Sequence, residues 1–352
     1  MTEKCHGGKY RRRINVYGAP GRKCPGEYHT AAHRLSERYH NMIHRRSMIK
    51  SLAYSTAGSL LAKHSRLLAS GTDQRPTKNI KNPLIDGPGM SDPHVLVEND
   101  VCYVFSGHDV GFGNSEWVMP DWRIHRSTDL RSWKHVGTIL PKDNYMGKGS
   151  TDCWAGDIVK RHNKYYWFFS NRDKNTGIMM ASKPEGPYAD ALGKPLVTSY
   201  DPTVFTDDDN TPYLIWGTET YKIARLKDSL LELDEEPREI AINRTSHFPF
   251  LDKNALHKHR GLYYLSCSGY YATSKNIYGP YETQGRVGEG WGLETGWAHG
   301  EFFVWKGNWY HIWCKYRDRS YDKIRDCFIA PVSYDEKGLM HEDLSQLDDK
   351  YR

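Results

Sequence analysis

Asp92, Asp201, Asp252 and His299 lie far apart in this chain, yet each stands at the same distance from a similar downstream segment. About eleven residues after each comes a short aromatic-rich stretch. These are Tyr103-Val104-Phe105-Ser106, Tyr213-Leu214-Ile215-Trp216, Tyr264-Leu265-Ser266-Cys267 and Tyr310-His311-Ile312-Trp313. A fifth segment, Tyr166-Trp167-Phe168-Phe169, comes after Ala155 at the same interval. Carboxylates and imidazoles give and take protons near neutral pH. Three aspartates and a histidine held at one point would therefore form general acid–base machinery.

The spacing itself supplies the elements that would bring them together. Steps of roughly 45 to 65 residues match the period of a β-propeller blade. In a propeller the innermost strands surround one central channel, so equivalent positions at their starts converge on the axis. The expected architecture is all-β, five four-stranded blades over residues 81–345. Asp92 and Asp201 each precede a proline, at a strand's first position, where no ladder donor is needed. Asp207-Asp208-Asp209-Asn210, Arg260-Gly261 and Lys306-Gly307-Asn308 read as the hairpin turns after inner strands. Ser127-Thr128-Asp129-Leu130-Arg131-Ser132-Trp133 reads as the end of blade one. Gly186-Pro187-Tyr188 and Gly279-Pro280-Tyr281 recur at later blade ends.

Composition narrows the function classes. The chain has 352 residues and a net charge of +6, but residues 1–80 hold 16 Lys and Arg against 4 Asp and Glu. The remainder holds 33 against 39, so the folded part is mildly acidic and a nucleic-acid partner is poorly supported. No run of 18 apolar residues exists, which argues against a membrane-spanning helix. Seven cysteines without a Cys-x-x-Cys pair speak against a thiolate zinc site, and an odd number against a complete disulfide framework.

Residues 1–80 read as a basic extension, irregular over 1–30 and helical in pattern over 33–69. Within it, Arg45-Arg46-Ser47-Met48-Ile49-Lys50 followed by Leu52 to Ala62 resembles a secretory signal, placing a signal-like segment at 45–70. A secreted or periplasmic location is the expectation from it, with a helical arm and a cytoplasmic location as the alternative.

The motifs together resemble family 43 of the glycoside hydrolases, five-bladed propellers that cleave terminal sugars with inversion. The resemblance covers residues 82–345. It rests on Asn82-Pro83-Leu84-Ile85, Ser91-Asp92-Pro93, the Ser-x-Asp-Leu-x-x-Trp element ending at Trp133, Cys153-Trp154-Ala155-Gly156-Asp157, Asp201-Pro202-Thr203-Val204-Phe205 and Ala298-His299-Gly300. It implies that Asp92 is the general base and that Asp201 tunes and orients the general acid. The family's acid is a Glu in a Glu-x-Pro segment. Here that slot reads Leu251-Asp252-Lys253-Asn254, with neither Glu nor Pro, and places Asp252 in the acid position. Gly156 likewise replaces a family proline. Glu301 and Glu219 are the alternative acids. Glu301 ranks higher, because strand alternation sets it on the same side as His299.

The resemblance also places His299 on the axis, where in some members the matching histidine helps hold a calcium or other ion. No cofactor is otherwise implied. His108, Asp109, Trp154, Trp297 and His299 are the candidates for sugar binding, with Trp117 and Trp122 as further aromatic walls. Tyrosine and tryptophan faces stack on sugar rings as readily as they pack between sheets. The implied activity is release of a terminal arabinofuranose, xylose or galactose-type sugar. Two alternatives stay open: a non-catalytic carbohydrate-binding propeller, and a phosphorylase using Lys253, His257 and Lys258 for phosphate.

Overall fold

The computed structural model describes residues 80–111, 117–244, 251–267, 269–287, 299–317 and 323–347. The N-terminal readings on residues 1–79, and Trp297, lie outside the described residues.

Five sheets succeed one another along the chain. Their innermost strands are Ser91–Glu98, Gly156–Arg161, Thr203–Thr206, Asn254–His259 and Gly300–Trp305. Each pairs with the aromatic-rich strand next in the chain: Val101–Gly107, Lys164–Asn171, Pro212–Trp216, Leu262–Cys267 and Asn308–Tyr316. The innermost strand of blade one meets those of blades two and five, and the contacts run on from two to three, three to four and four to five. The ring is a closed five-bladed propeller. Asn99-Asp100, His162-Asn163, Arg260-Gly261 and Lys306-Gly307 turn the inner strands back with positive φ at both central residues, the geometry that matches strand twist.

The aromatic runs have a clear physical cause. A second strand is buried on both faces, so alternate residues serve different seams. Tyr103 and Phe105 pack with Ile158, Trp167 and Phe169 between blades one and two. Their neighbours Cys102 and Val104 pack with Phe303, Tyr310 and Ile312 between blades one and five. Tyr166 and Phe168 meet Leu214 and Trp216, Tyr213 and Ile215 meet Tyr263 and Leu265, and Tyr264 meets Phe302. Each of the five seams has its own apolar cluster.

Two details differ from the sequence reading. Ser127–Trp133 does not end blade one, because the strand Lys134–Ile139 comes after it. The element is the turn between third and fourth strands, where Ser127 and Asp129 accept from the N–H groups of Leu130, Arg131 and Ser132. Both Gly-Pro-Tyr segments occupy the same turn in their own blades. Blade four carries a fifth strand, Ile242–Asn243, pairing parallel with Tyr281–Arg286. The chain arriving from blade three thus covers an edge that would otherwise present unpaired backbone groups.

Blades one and five are joined by the segment before the first strand. Leu84 N–H donates to Cys327 O, Met90 N–H to Arg325 O, and the Asn82 side-chain amide exchanges two hydrogen bonds with the Ile329 backbone. The five described cysteines, Cys102, Cys153, Cys267, Cys314 and Cys327, are buried free thiols.

Candidate active site

The site grows from the chain around the starts of the inner strands. Asp92 and Asp201 take left-handed backbone conformations, φ +48° and +60°, although a residue before proline is ordinarily extended. Aspartate is among the few side chains that tolerate this region, and strain of this kind collects at functional sites. Asp252 is fixed differently: its N–H donates to Cys267 Sγ at 3.1 Å and its carbonyl accepts from the Tyr221 hydroxyl at 2.5 Å. His299 stands at the start of blade five, its carbonyl accepting from Cys314 N–H.

These four side chains line one cavity of about 190 Å³, together with Arg325 and a wall of Trp117, Trp154 and Tyr200. The His299 ring lies between two carboxylates. Its Nδ1 is 2.5 Å from Asp92 Oδ1 and its Nε2 is 3.0 Å from Asp252 Oδ2. Arg325 forks onto Asp92, with Nη1 to Oδ1 at 2.7 Å and Nη2 to Oδ2 at 3.1 Å. The same guanidinium donates from Nε and Nη2 to the two oxygens of Asp109.

The electrostatics divide the acids. Burial alone would raise the Asp92 carboxyl, but Arg325 and His299 outweigh it and hold the group well below the usual carboxylate range. Burial also opposes a charge on His299, yet Asp92 and Asp252 outweigh it and raise its pKa well above the ordinary value. Asp201 goes the other way. Burial, helped by the charges of Asp252 and Asp92, pushes it up to about 7 against the pull of His299 and Lys253. Asp201, Asp252 and His299 present polar atoms within 4.8 Å of one another. Asp201 therefore retains its proton up to near neutrality. Asp252 is the more exposed partner, its side chain 16% accessible.

The remaining sequence candidates fall in different places. Trp154 and Trp117 line the cavity, the latter stacked on Tyr316 and covered by Arg325 at 4.2 Å. Trp122 is core, packed on Trp167. His108 and Asp109 do not line the cavity: His108 pairs with Asp121, and Asp109 braces Arg325. Glu301 faces the same side as His299 but one layer away from the cavity. There it accepts from Val95 N–H and contacts His94 Nδ1 at 3.2 Å. Glu219 lies at a turn with φ +60° and is absent from the cavity wall. Lys258 is engaged with Asp207 and Asp208, and His257 packs among Tyr264, Phe302 and Trp309, so no phosphate-binding basic cluster among the described residues faces the site. Arg325 and Tyr200 went unnoticed in the sequence. Tyr200 immediately precedes Asp201 and carried that signal, whereas Arg325 opens the third strand of its blade, outside the inner-strand repeat.

The fold is a closed five-bladed propeller whose carboxylates converge on one cavity. The chain belongs to the glycosyl hydrolases family 43, whose family model matches residues 80–340, and it is a glycoside hydrolase. It is 28% identical over 321 residues to a xylosidase/arabinosidase of Bacteroides ovatus, covering 74% of this chain and 97% of that one. It is 29% identical over 310 residues to a beta-xylosidase of Xylanibacter ruminicola, covering 71% and 95%. The fold matches the family enzyme of Xanthomonas citri solved with xylotriose, at a TM-score of 0.64 and 24% identity over 74% of this chain and 92% of that one. It equally matches a xylosidase/arabinofuranosidase from a compost metagenome, solved in a calcium-free form, at 0.64 and 22% over 75% and 97%.

Proposed function

We propose that the protein is an inverting, exo-acting glycosidase that removes a terminal xylosyl or arabinofuranosyl unit. The observation that carries this reading is the placement of Asp92 and Asp252 on opposite nitrogens of His299. The imidazole ring set between them holds the two carboxylates apart, the arrangement an inverting enzyme needs to seat a water in a gap of roughly 6.5–9.5 Å. Asp92, ionised by Arg325 and His299, takes a proton from the water as its oxygen bonds to the anomeric carbon. The glycosidic C–O bond breaks, and the leaving oxygen receives the proton held by Asp201, through Asp252.

Trp117, Trp154 and Tyr200 supply apolar faces for a sugar ring. A cavity of about 190 Å³ lies below the roughly 300–1,000 Å³ typical of larger-ligand sites and suits a single terminal residue. Relatives named for xylosidase and arabinosidase activity support the sugar class; the Aspergillus niger relative, a beta-D-galactofuranosidase at 28% identity, marks galactofuranose as the next candidate.

The test is hydrolysis of aryl xylosides, arabinofuranosides and galactofuranosides with the first-formed anomer followed by NMR. Release of the inverted anomer from one of the first two is expected. Release of the retained anomer would remove the two-carboxylate water mechanism, and cleavage of the galactofuranoside alone would reassign the sugar.

A further inference from the structure

Two residues beyond each slot of the site, the inner strands supply a second ring: His94, Asp157, Thr203, Asn254 and Glu301. Four are buried outright, and Glu301 is half-buried. His94 Nδ1 stands 3.3 Å from Asp157 and 3.2 Å from Glu301, and these three side chains gather closely enough to suggest a cation site. The family resemblance raises calcium at the axis, so the fit of such an ion to these residues is a physical question.

They do not fit it. The carboxylates already have partners: Asp157 accepts from Ile158 and Val204 N–H, and Glu301 accepts from Val95 N–H and sets its other oxygen against His94 Nδ1. In the neighbouring trio of Asp201, Asp252 and His299 both ring nitrogens already face carboxylates, Nδ1 against Asp92 and Nε2 against Asp252. A cation is also already present. Lys253, one residue after Asp252, is 1% exposed and turns inward. Its Nζ donates to Thr203 Oγ1 and to Asn254 O, both at 2.7 Å. Burial pulls its pKa down, while the carboxylates that hold the charge come from both rings: Asp157, Asp201, Glu301 and Asp92. A divalent ion here would compete with this buried lysine for the same carboxylates.

We infer that Lys253 is the structural cation of this propeller, a covalently attached charge that does the electrostatic work of an axial metal ion and makes the fold and its chemistry independent of calcium. Its contacts tie the start of blade three to the start of blade four, since Asn254 Nδ2 also donates to Asp201 O at 3.0 Å. Those two strand starts carry Asp201 and Asp252. Lys253 is thus a positioning residue that also lowers the affinity of Asp201 for its proton. Only the catalytic arm of the test rests on the glycosidase reading.

The test has two arms. In the first, the thermal midpoint of the wild-type protein is measured after chelation with EDTA and after adding millimolar calcium chloride. No change in either condition is expected. A midpoint that falls on chelation and recovers with calcium overturns the inference, whether or not any glycoside is cleaved. In the second arm, Lys253→Met is compared with wild type for the pH dependence of kcat/KM. Loss of a nearby positive charge should move the basic limb upward by about one unit or more. A purely structural lysine would lower kcat without moving the limb, and an unmoved limb in folded Lys253→Met likewise overturns the assignment. If Lys253→Met fails to fold, the calcium arm decides alone.

Discussion

At the scale of single residues, the chemistry turns on charge balance around His299. Asp92→Asn keeps the left-handed backbone, because asparagine shares aspartate's tolerance of it. Turnover should still fall by about 10² to 10⁴-fold, the usual worth of a general base, and steady-state kinetics on an aryl glycoside will measure the loss. The pH profile carries a second expectation. Because Asp92 is held ionised and Asp201 keeps its proton to near 7, kcat/KM should stay high on the acid side and decline as pH rises through about 7. Asp201→Asn removes that raised carboxyl and should abolish the decline near pH 7; a limb left in place would remove Asp201 from the proton inventory. The same raised pKa makes stability depend on pH. A carboxyl whose pKa is raised by folding stabilises below its unfolded value and loses that contribution as pH rises through its folded value. The melting-temperature difference between Asp201→Asn and wild type should accordingly grow in the variant's favour from about pH 4 to above pH 7.

At the scale of elements, the inner strands explain why so much of the site was legible in the sequence and where legibility stopped. Asp92, Asp201, Asp252 and His299 could be read because each opens a strand that leads through a hairpin into a doubly buried aromatic run, a pattern imposed by blade packing. Depth along the axis was not readable: His299 and Glu301 share a face, and alternation alone cannot say which layer borders solvent. Arg325 was missed because it reaches the axis from a third strand. The departure at Gly156 has a packing cause. A Cβ there would lie 2.3 Å from the Phe168 carbonyl oxygen and 2.5 Å from the Trp167 ring. Gly156→Ala should therefore destabilise the protein by about 1–3 kcal/mol through overpacking, measured by urea unfolding.

At the scale of the whole molecule, closure depends on backbone stitching between the segment at Asn82 and the last blade. Asn82→Ala removes both side-chain bonds to Ile329 and leaves that backbone amide and carbonyl without them. A loss of about 1–3 kcal/mol is expected from groups left unsatisfied. Because the ring closes only once, activity and tryptophan fluorescence should be lost together on heating, and separated transitions would show that blades one and five part before the rest unfolds.

The Asp92–Arg325 fork has a bearing on how the protein is made. Its partners are 233 residues apart, so the first-blade carboxylate leaves the ribosome long before the guanidinium that compensates it. At roughly 5–20 residues per second, the nascent chain waits roughly 10–50 s with its base uncompensated and His299 not yet synthesised for most of that interval. Premature termination before the final blade yields a polypeptide with aspartates but no assembled centre. Appearance of catalytic turnover during translation would therefore act as a timer for completion of the last blade.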